Sequence, residues 1–224
     1  LTYILAPKCG YEILQTTCPE AMYLYGGEDF IKNFTVENDF TYGIGPGLGT
    51  DYETEEKLMH FLKNYNEPLV LDADALNLIS KNSENLNLIP KKSIITPHPK
   101  EFSRLFGESK DFFERLELAK SKAKELNIYI VLKGHHTQII TPEGNVFYNI
   151  TGNSGLAKGG SGDVLLGIIT SFLAQGYSPE NAAIFGVWLH GKAADFTAEK
   201  HSKEAMLASD VIQHIGEVFK YLQK

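Results

Sequence analysis

Cysteine is scarce: Cys9 and Cys18 are the two in 224 residues, and they form neither a CxxC pair nor a disulfide framework. Reduced, inert thiols in a cytosolic protein are the expectation. Basic residues are outnumbered, 21 Lys and Arg against 28 Asp and Glu, for a formal net charge of −7. A nucleic-acid groove is disfavoured, because binding many phosphates needs a basic face. A single small anion is still allowed, since backbone N–H groups can hold it without net positive charge. Long apolar runs are missing, and none approaches the roughly 18 residues that a membrane span requires. The opening Leu1-Thr2-Tyr3-Ile4-Leu5-Ala6-Pro7 has no basic leader and reads as a strand, not a signal peptide. The seven histidines lack metal-ligand spacing. His135 and His136, as neighbours on a strand, would point to opposite sides and chelate poorly. The sequons Asn33-Phe34-Thr35 and Asn149-Ile150-Thr151 carry no meaning in a cytosolic chain.

What is present is an alternation of short β-rich runs with helical patterns, the signature of a largely parallel sheet with helices on its faces. Strands are expected at Tyr3–Ala6, Met22–Tyr25, Phe40–Ile44, Pro68–Asp72, Ile94–Thr96 and Ile128–Lys133. Thr137–Thr141 and Val146–Ile150 flank Pro142-Glu143-Gly144-Asn145, a hairpin signal. Tyr52–Tyr65 reads as helical. Phe112, Leu116, Ala119, Ala123 and Leu126 recur at helical spacing and mark a core-facing stripe. Asp163–Gln175 and Glu180–Lys200 are long apolar helices, in which Trp188 and His190 are most simply core. Ser209-Asp210 is expected to cap a last helix running to about Leu222. Without a linker or repeat, residues 1–224 read as one domain.

The segment richest in chemistry is Asn153-Ser154-Gly155-Leu156-Ala157-Lys158-Gly159-Gly160-Ser161-Gly162-Asp163. A glycine-rich turn followed at once by an apolar helix puts several free N–H groups at a helix N-terminus, where the dipole stabilises a phosphate. Asp163 could be a mere cap worth about 1 kcal/mol. A cap, however, does not ask for three glycines in the four residues before it, which cost backbone entropy. The P-loop pattern fails, because Ser161-Gly162 stands where Lys-Ser/Thr is needed. The dinucleotide fingerprint also fails: Gly43-Ile44-Gly45-Pro46-Gly47-Leu48-Gly49 has glycine at alternate positions.

GGSGD opening a helix resembles the anion hole and catalytic aspartate of the ribokinase-like superfamily. Four segments, in order, are similar to the ADP/ATP-dependent NAD(P)H-hydrate dehydratases: Gly43 to Gly49, Asp72-Ala73-Asp74-Ala75-Leu76-Asn77, Thr96-Pro97-His98-Pro99-Lys100-Glu101, and Asn153 to Asp163. The resemblance implies a ribokinase-like three-layer α/β sandwich with a mostly parallel central sheet and helices on both faces. It implies a repair reaction on hydrated NADH or NADPH, with ADP or ATP as phosphate donor and Mg²⁺ as cofactor. The ring hydroxyl is phosphorylated, and the ring nitrogen then expels phosphate. Asp163 would take the hydroxyl proton, and the N–H groups of Gly160, Ser161 and Gly162 would stabilise the transferring phosphoryl group.

By the same resemblance, Gly49, His98 and Asp163 bind the hydrated cofactor. Glu101 holds Mg²⁺ through water. Lys133, Gly134, His135, His136 and Thr137, together with Gly162, contact the nucleotide. From the residues alone, Lys133 could equally cap a sheet edge. Asp72 and Asp74 could chelate a metal, with helix capping the alternative for Asp74. Vitamin kinases of the superfamily carry Asn where this chain has His98, and a small-alcohol kinase is the competing activity. Members of the family begin with about fifty more residues, so the sheet edge and part of the substrate pocket are expected to be altered here. A homo-oligomer without nucleic-acid or membrane partners is the expected assembly.

Overall fold

In a computed structural model, residues 1–34, 37 and 39–223 are described. Thr35 of the first sequon therefore lies outside the described residues. Six strands form the main sheet in sequential order: β3 (Gly43–Ile44), β4 (Val70–Leu71), β5 (Ile94–Ile95), β6 (Tyr129–Leu132), β7 (Gln138–Ile140) and β8 (Val146–Tyr148). β3 to β6 run parallel, and β7 and β8 return antiparallel. β1 (Tyr3–Ala6) and β2 (Met22–Tyr25) pair in parallel with each other in a separate two-stranded sheet. The expectation of one sheet is corrected there. Met22, Leu24 and Tyr25 stay exposed, so no apolar face draws β2 into the main stack.

Strands β4 to β7 are fully buried, and the sheet bears helices on both faces, which is why their sequences read as apolar runs. On one face Ile44, Leu71, Ile95, Ile130, Leu132 and Ile140 meet α2 (Tyr52–Asn64), α3 (Ala73–Ile79), α4 (Pro99–Phe106) and α5 (Phe112–Leu126). On the other, Val70, Ile94, Tyr129, Val131 and Ile139 meet α6 (Ser161–Ala174) and α7 (Pro179–His201). α8 (Ala208–Leu222) packs outside them through Val211 and Val218. A short helix, α1 (Tyr11–Thr17), links β1 to β2. The alternation of the two residue sets along each strand is the period of two that a pleated sheet imposes.

Regular pairing stops early, but hydrogen bonds continue past the strand ends. Asp72 N–H donates to Ile44 O at 3.1 Å, Thr96 N–H to Leu71 O at 3.0 Å, and Lys133 N–H to Pro97 O at 2.9 Å. This ladder aligns the carboxyl ends of β4, β5 and β6, the edge where open α/β sheets bind ligands. Gly45 sits in the same row at φ +147°, where an added Cβ would stand 1.8 Å from Asp72 O. No other residue fits that approach. At the far end of the chain, the expected Ser209-Asp210 cap is present through Asp210, with Leu207 as the N-cap position. The Asp210 carboxylate accepts the Leu207 N–H at 2.8 Å, so the acid three residues into the turn does the capping.

Candidate active site

Three elements converge at the strand ends. The first is the start of α4. His98 is its N-cap: Nδ1 accepts the N–H of Lys100 at 3.1 Å and of Glu101 at 3.3 Å. Glu101 Oε2 returns the bond by accepting the His98 N–H at 2.8 Å, which closes a capping box. An imidazole nitrogen that accepts amide protons carries none itself, so the neutral ring holds its proton on Nε2. Nε2 lies 3.4 Å from Glu101 Oε1. The His-x-x-Glu spacing before Phe102 was the sequence signal for this box, with Pro99 at the first helical position.

The second element is the end of β6. Lys133 Nζ donates to Asp72 Oδ1 at 2.7 Å and lies 3.8 Å from Glu101 Oε2. Asp72 is 1% exposed, and burial pushes its carboxyl above the ordinary range while Lys133 pulls it back. The two influences oppose each other, and the 2.7 Å contact identifies the charged pair as the arrangement that holds this corner together. Lys133 is thus neither a cap on the sheet edge nor a free surface cation. Asp74 is also not a helix cap: it accepts the Gly49 N–H at 3.0 Å and ties down the glycine loop that follows β3. After Lys133 the chain turns through Gly134, His135, His136 and Thr137 into β7, with Thr137 Oγ1 bonding Gly134 O at 3.3 Å. His135 and His136 share this exposed turn with ring centroids 4.4 Å apart, which corrects the expectation that they point to opposite sides. A turn does not impose strand alternation.

The third element is the N-terminus of α6. Gly160 is its N-cap with φ 85°, a left-handed conformation suited to glycine. Val164 N–H closes the first helical bond on Gly160 O at 3.1 Å. Ser161 N–H makes a long 3.4 Å bond to Lys158 O, whereas the N–H groups of Gly160 and Gly162 have no partner among the described residues. A methyl group at Gly162 would stand 3.3 Å from Asp72 Oδ2 and 3.4 Å from Lys133 Nζ. The helix start therefore looks onto the buried ion pair. Asp163 follows on the first turn and is exposed. Unpaired amides, a helix dipole and one ammonium in the same corner favour an anion there.

The structure thus brings together Asp72, His98, Glu101, Lys133 and Gly162, which are scattered between positions 72 and 162 and meet through the ladder at the strand ends. Asp72 is the member that sequence reasoning left undecided. Its signal was a carboxylate inside a buried apolar strand, which needs a partner. Among the described residues no group of three or more His, Cys, Asp or Glu could hold a metal ion. Glu101 Oε2 is engaged in the helix cap, so direct ligation through that oxygen would break it. Contact through water leaves the cap intact. The donor set therefore fits a magnesium ion carried by a nucleotide and touched through water.

A family model described as NAD(P)H-hydrate dehydratase matches residues 1–217. The ADP-dependent (S)-NAD(P)H-hydrate dehydratase of Bacillus subtilis is 36% identical over 208 residues, 90% of this chain and 72% of that protein. The bifunctional NAD(P)H-hydrate repair enzyme of Thermofilum pendens is 32% identical over 223 residues, 99% of this chain but 42% of the relative. The chain likewise spans 34% of the Moorella thermoacetica repair enzyme and 59% of the Neisseria meningitidis dehydratase. Among solved structures, the Bacillus subtilis ADP/ATP-dependent NAD(P)H-hydrate dehydratase co-crystallised with ATP and Mg²⁺ superposes with a TM-score of 0.79 at 34% identity. That superposition covers 96% of this chain and 76% of the other. The architecture is accordingly the ribokinase-like α/β fold, and the chain belongs to the NAD(P)H-hydrate dehydratase family.

Proposed function

We propose that this chain carries out nucleotide-dependent dehydration of hydrated NADH or NADPH. The observation that carries the reading is the start of α6: unpaired Gly160 and Gly162 amides beside the Lys133–Asp72 pair, with an exposed carboxylate at Asp163. Asp163 takes the proton of the ring hydroxyl as its oxygen attacks the terminal phosphorus of ADP or ATP. The bond to the departing nucleotide breaks, and the amides of Gly160, Ser161 and Gly162 stabilise charge on the transferring group. The ring nitrogen lone pair then expels phosphate, and loss of a ring proton restores the double bond. Glu101 would hold magnesium brought with the nucleotide through water, and the ion would supply positive charge against the phosphates.

His98 offers Nε2–H to the hydrated ring from the rim of the site, and Gly49 leaves room for the ring beside it. The turn from Lys133 through Thr137 lies along the nucleotide. Support for the whole assignment comes from the match over residues 1–217 and from the Bacillus subtilis ADP/ATP-dependent relative, which was co-crystallised with ATP and Mg²⁺. No helix among the described residues is long and apolar enough to cross a membrane. We assign the chain to the cytosol on its two free cysteines, both exposed. Exposed Phe147, Tyr148, Ile150 and Phe185 support assembly into a homo-oligomer, which light scattering on the purified protein would measure.

The decisive assay mixes protein, hydrated NADH, Mg²⁺ and either ADP or ATP, and follows reduced-nicotinamide absorbance with phosphate release. Recovery of absorbance matched by one phosphate per turnover is the expected result, with ADP the expected donor. A phosphorylated small alcohol accumulating in place of released phosphate would instead favour the kinase reading.

A further inference from the structure

The loop that ends in the anion hole is gripped at both ends by side chains with no place in the chemistry above. At its entry, Asp195 of α7 accepts the Gly152 N–H on Oδ2 at 3.0 Å and the Asn153 side-chain N–H on Oδ1 at 3.1 Å. Asn153 also donates to Ala194 O at 3.1 Å and accepts the Gly155 N–H at 3.0 Å. The backing is close-packed: a Cβ at Gly191 would stand 2.4 Å from Thr151 Oγ1, which itself donates to Trp188 O at 3.0 Å. Trp188, Gly191, Ala194 and Asp195 fall at spacings of three and four, so one face of α7 carries the whole grip.

At the exit, Lys158 Nζ donates to three main-chain carbonyls of the turn between α7 and α8. They are Glu204 O at 2.6 Å, Met206 O at 2.8 Å and Lys203 O at 3.3 Å. Gly155 is sealed under the same turn, where a Cβ would meet Met206 Sδ at 2.2 Å. A lysine in a glycine-rich phosphate loop is ordinarily read as a phosphate ligand. An ammonium has three protons, and here all three have carbonyl partners. Lys158 is therefore spent on holding the loop.

We infer that Asp195 and Lys158 are positioning residues that fix the amides of Gly160 to Gly162 for the transferring phosphoryl group, acting through the loop and not through contact with phosphate. The inference rests on the phosphoryl-transfer reading of α6. Its physical basis is that amides stabilise a developing charge only when held in place before the charge appears. Two anchors, on either side of Gly155, stop the loop from swinging on its glycines. Asp195→Asn cannot serve both donors, because the amide offers one oxygen and turns an NH₂ group toward the second N–H. Lys158→Met keeps the length of the side chain and removes the donors.

The test compares wild type, Asp195→Asn and Lys158→Met in the intact protein. Readouts are amide hydrogen exchange, affinity for ADP with Mg²⁺, and turnover of hydrated NADH. Both variants are expected to exchange faster at residues 154–162, by about tenfold, with exchange in β4 to β6 unchanged. Turnover number should fall on the order of tenfold to a hundredfold, and ADP affinity should change less than about threefold. A lysine that bound phosphate would behave differently, losing about tenfold or more in ADP affinity on conversion to Met. That result overturns the assignment for Lys158. Unchanged exchange in the loop, or a turnover number equal to wild type, overturns it for either residue. If the wild type itself leaves hydrated NADH untouched, the functional reading falls, and the exchange and affinity data still decide whether the loop is anchored as described.

Discussion

The molecule has two glycine-rich segments at the same edge of the sheet, and their glycines are there for different reasons. At Gly43 and Gly45 in the first segment the protein itself occupies the space. A Cβ at Gly43 would lie 2.3 Å from Thr170 Oγ1, and one at Gly45 would lie 1.8 Å from Asp72 O. In the second segment a Cβ at Gly159 would meet nothing within 4 Å, and one at Gly162 would reach only the polar ends of Asp72 and Lys133. Protein packing explains Gly43, Gly45 and, in the second segment, Gly155, and leaves Gly159 and Gly162 open. A glycine on a helix start, with room for a side chain and an unpaired N–H, is explained by something that approaches from outside. Asp72 is the shared wall: its carbonyl closes on one segment and its carboxylate faces the other.

The largest predicted effect is on stability at the packed segment. Gly45→Ala should cost about 4 kcal/mol or more, since both the positive φ and the collision with Asp72 O must be relieved. Chemical denaturation would measure it, and a loss under about 1 kcal/mol would mean that the first segment is as open as the second. Next comes the wall itself. Lys133→Met leaves the buried Asp72 carboxylate without its partner, an expected loss of about 3 kcal/mol at neutral pH. Adding Asp72→Asn in the same chain should restore much of that loss, which a denaturation series on the single and double variants would reveal.

The third prediction concerns the helix behind the second segment. His190 is 6% exposed, its Nε2 has no partner among the described residues, and burial lowers its pKa from 6.5 to about 4. The folded state therefore keeps this ring neutral while the unfolded chain protonates it. Its contribution is complete above pH 6.5 and is lost as the pH falls from there towards 4. Between pH 7 and pH 5 the loss attributable to His190 should be about 2 kcal/mol. His190→Leu should remove that part of the pH dependence, as read from melts across the same range. The smallest stability effect belongs to the open segment. Gly162→Ala should change stability by less than about 1 kcal/mol, because alanine suits a helix and the neighbours need move only slightly. The same variant should lower turnover by about tenfold or more by crowding the anion hole. A large stability loss there would erase the distinction between the two segments.

Much of this was legible in the sequence, because the elements obey local rules. The stripe from Phe112 to Leu126 is the helix it reads as, and the hairpin around Gly144 is present. Strands were overextended at their carboxyl ends: Ile94–Thr96 shrinks to Ile94–Ile95, and Pro68–Asp72 to Val70–Leu71. The ends of these strands give up regular pairing in order to line the site, and apolar composition does not record that. The GGSGD helix start was also readable, since it is contiguous. What was not readable depends on partners far apart in the chain. Lys133 and Asp72 are separated by 61 residues, and Asp195 grips a loop 42 residues before it. Nothing in the local spelling of either residue names its partner. Asp74 was misjudged for a related reason: a carboxylate on the first helical turn looks like a cap until the Gly49 N–H is found on it.

In the proposed function the start of α6 does the chemistry and Asp163 moves the proton. The most direct measurement is a single-turnover assay of Asp163→Asn beside wild type, with hydrated NADH, ADP and Mg²⁺, together with calorimetric ADP binding. A loss of about a hundredfold to ten-thousandfold in the rate of phosphate release is expected, with ADP affinity retained. A rate close to wild type, with ADP bound equally well, would contradict it.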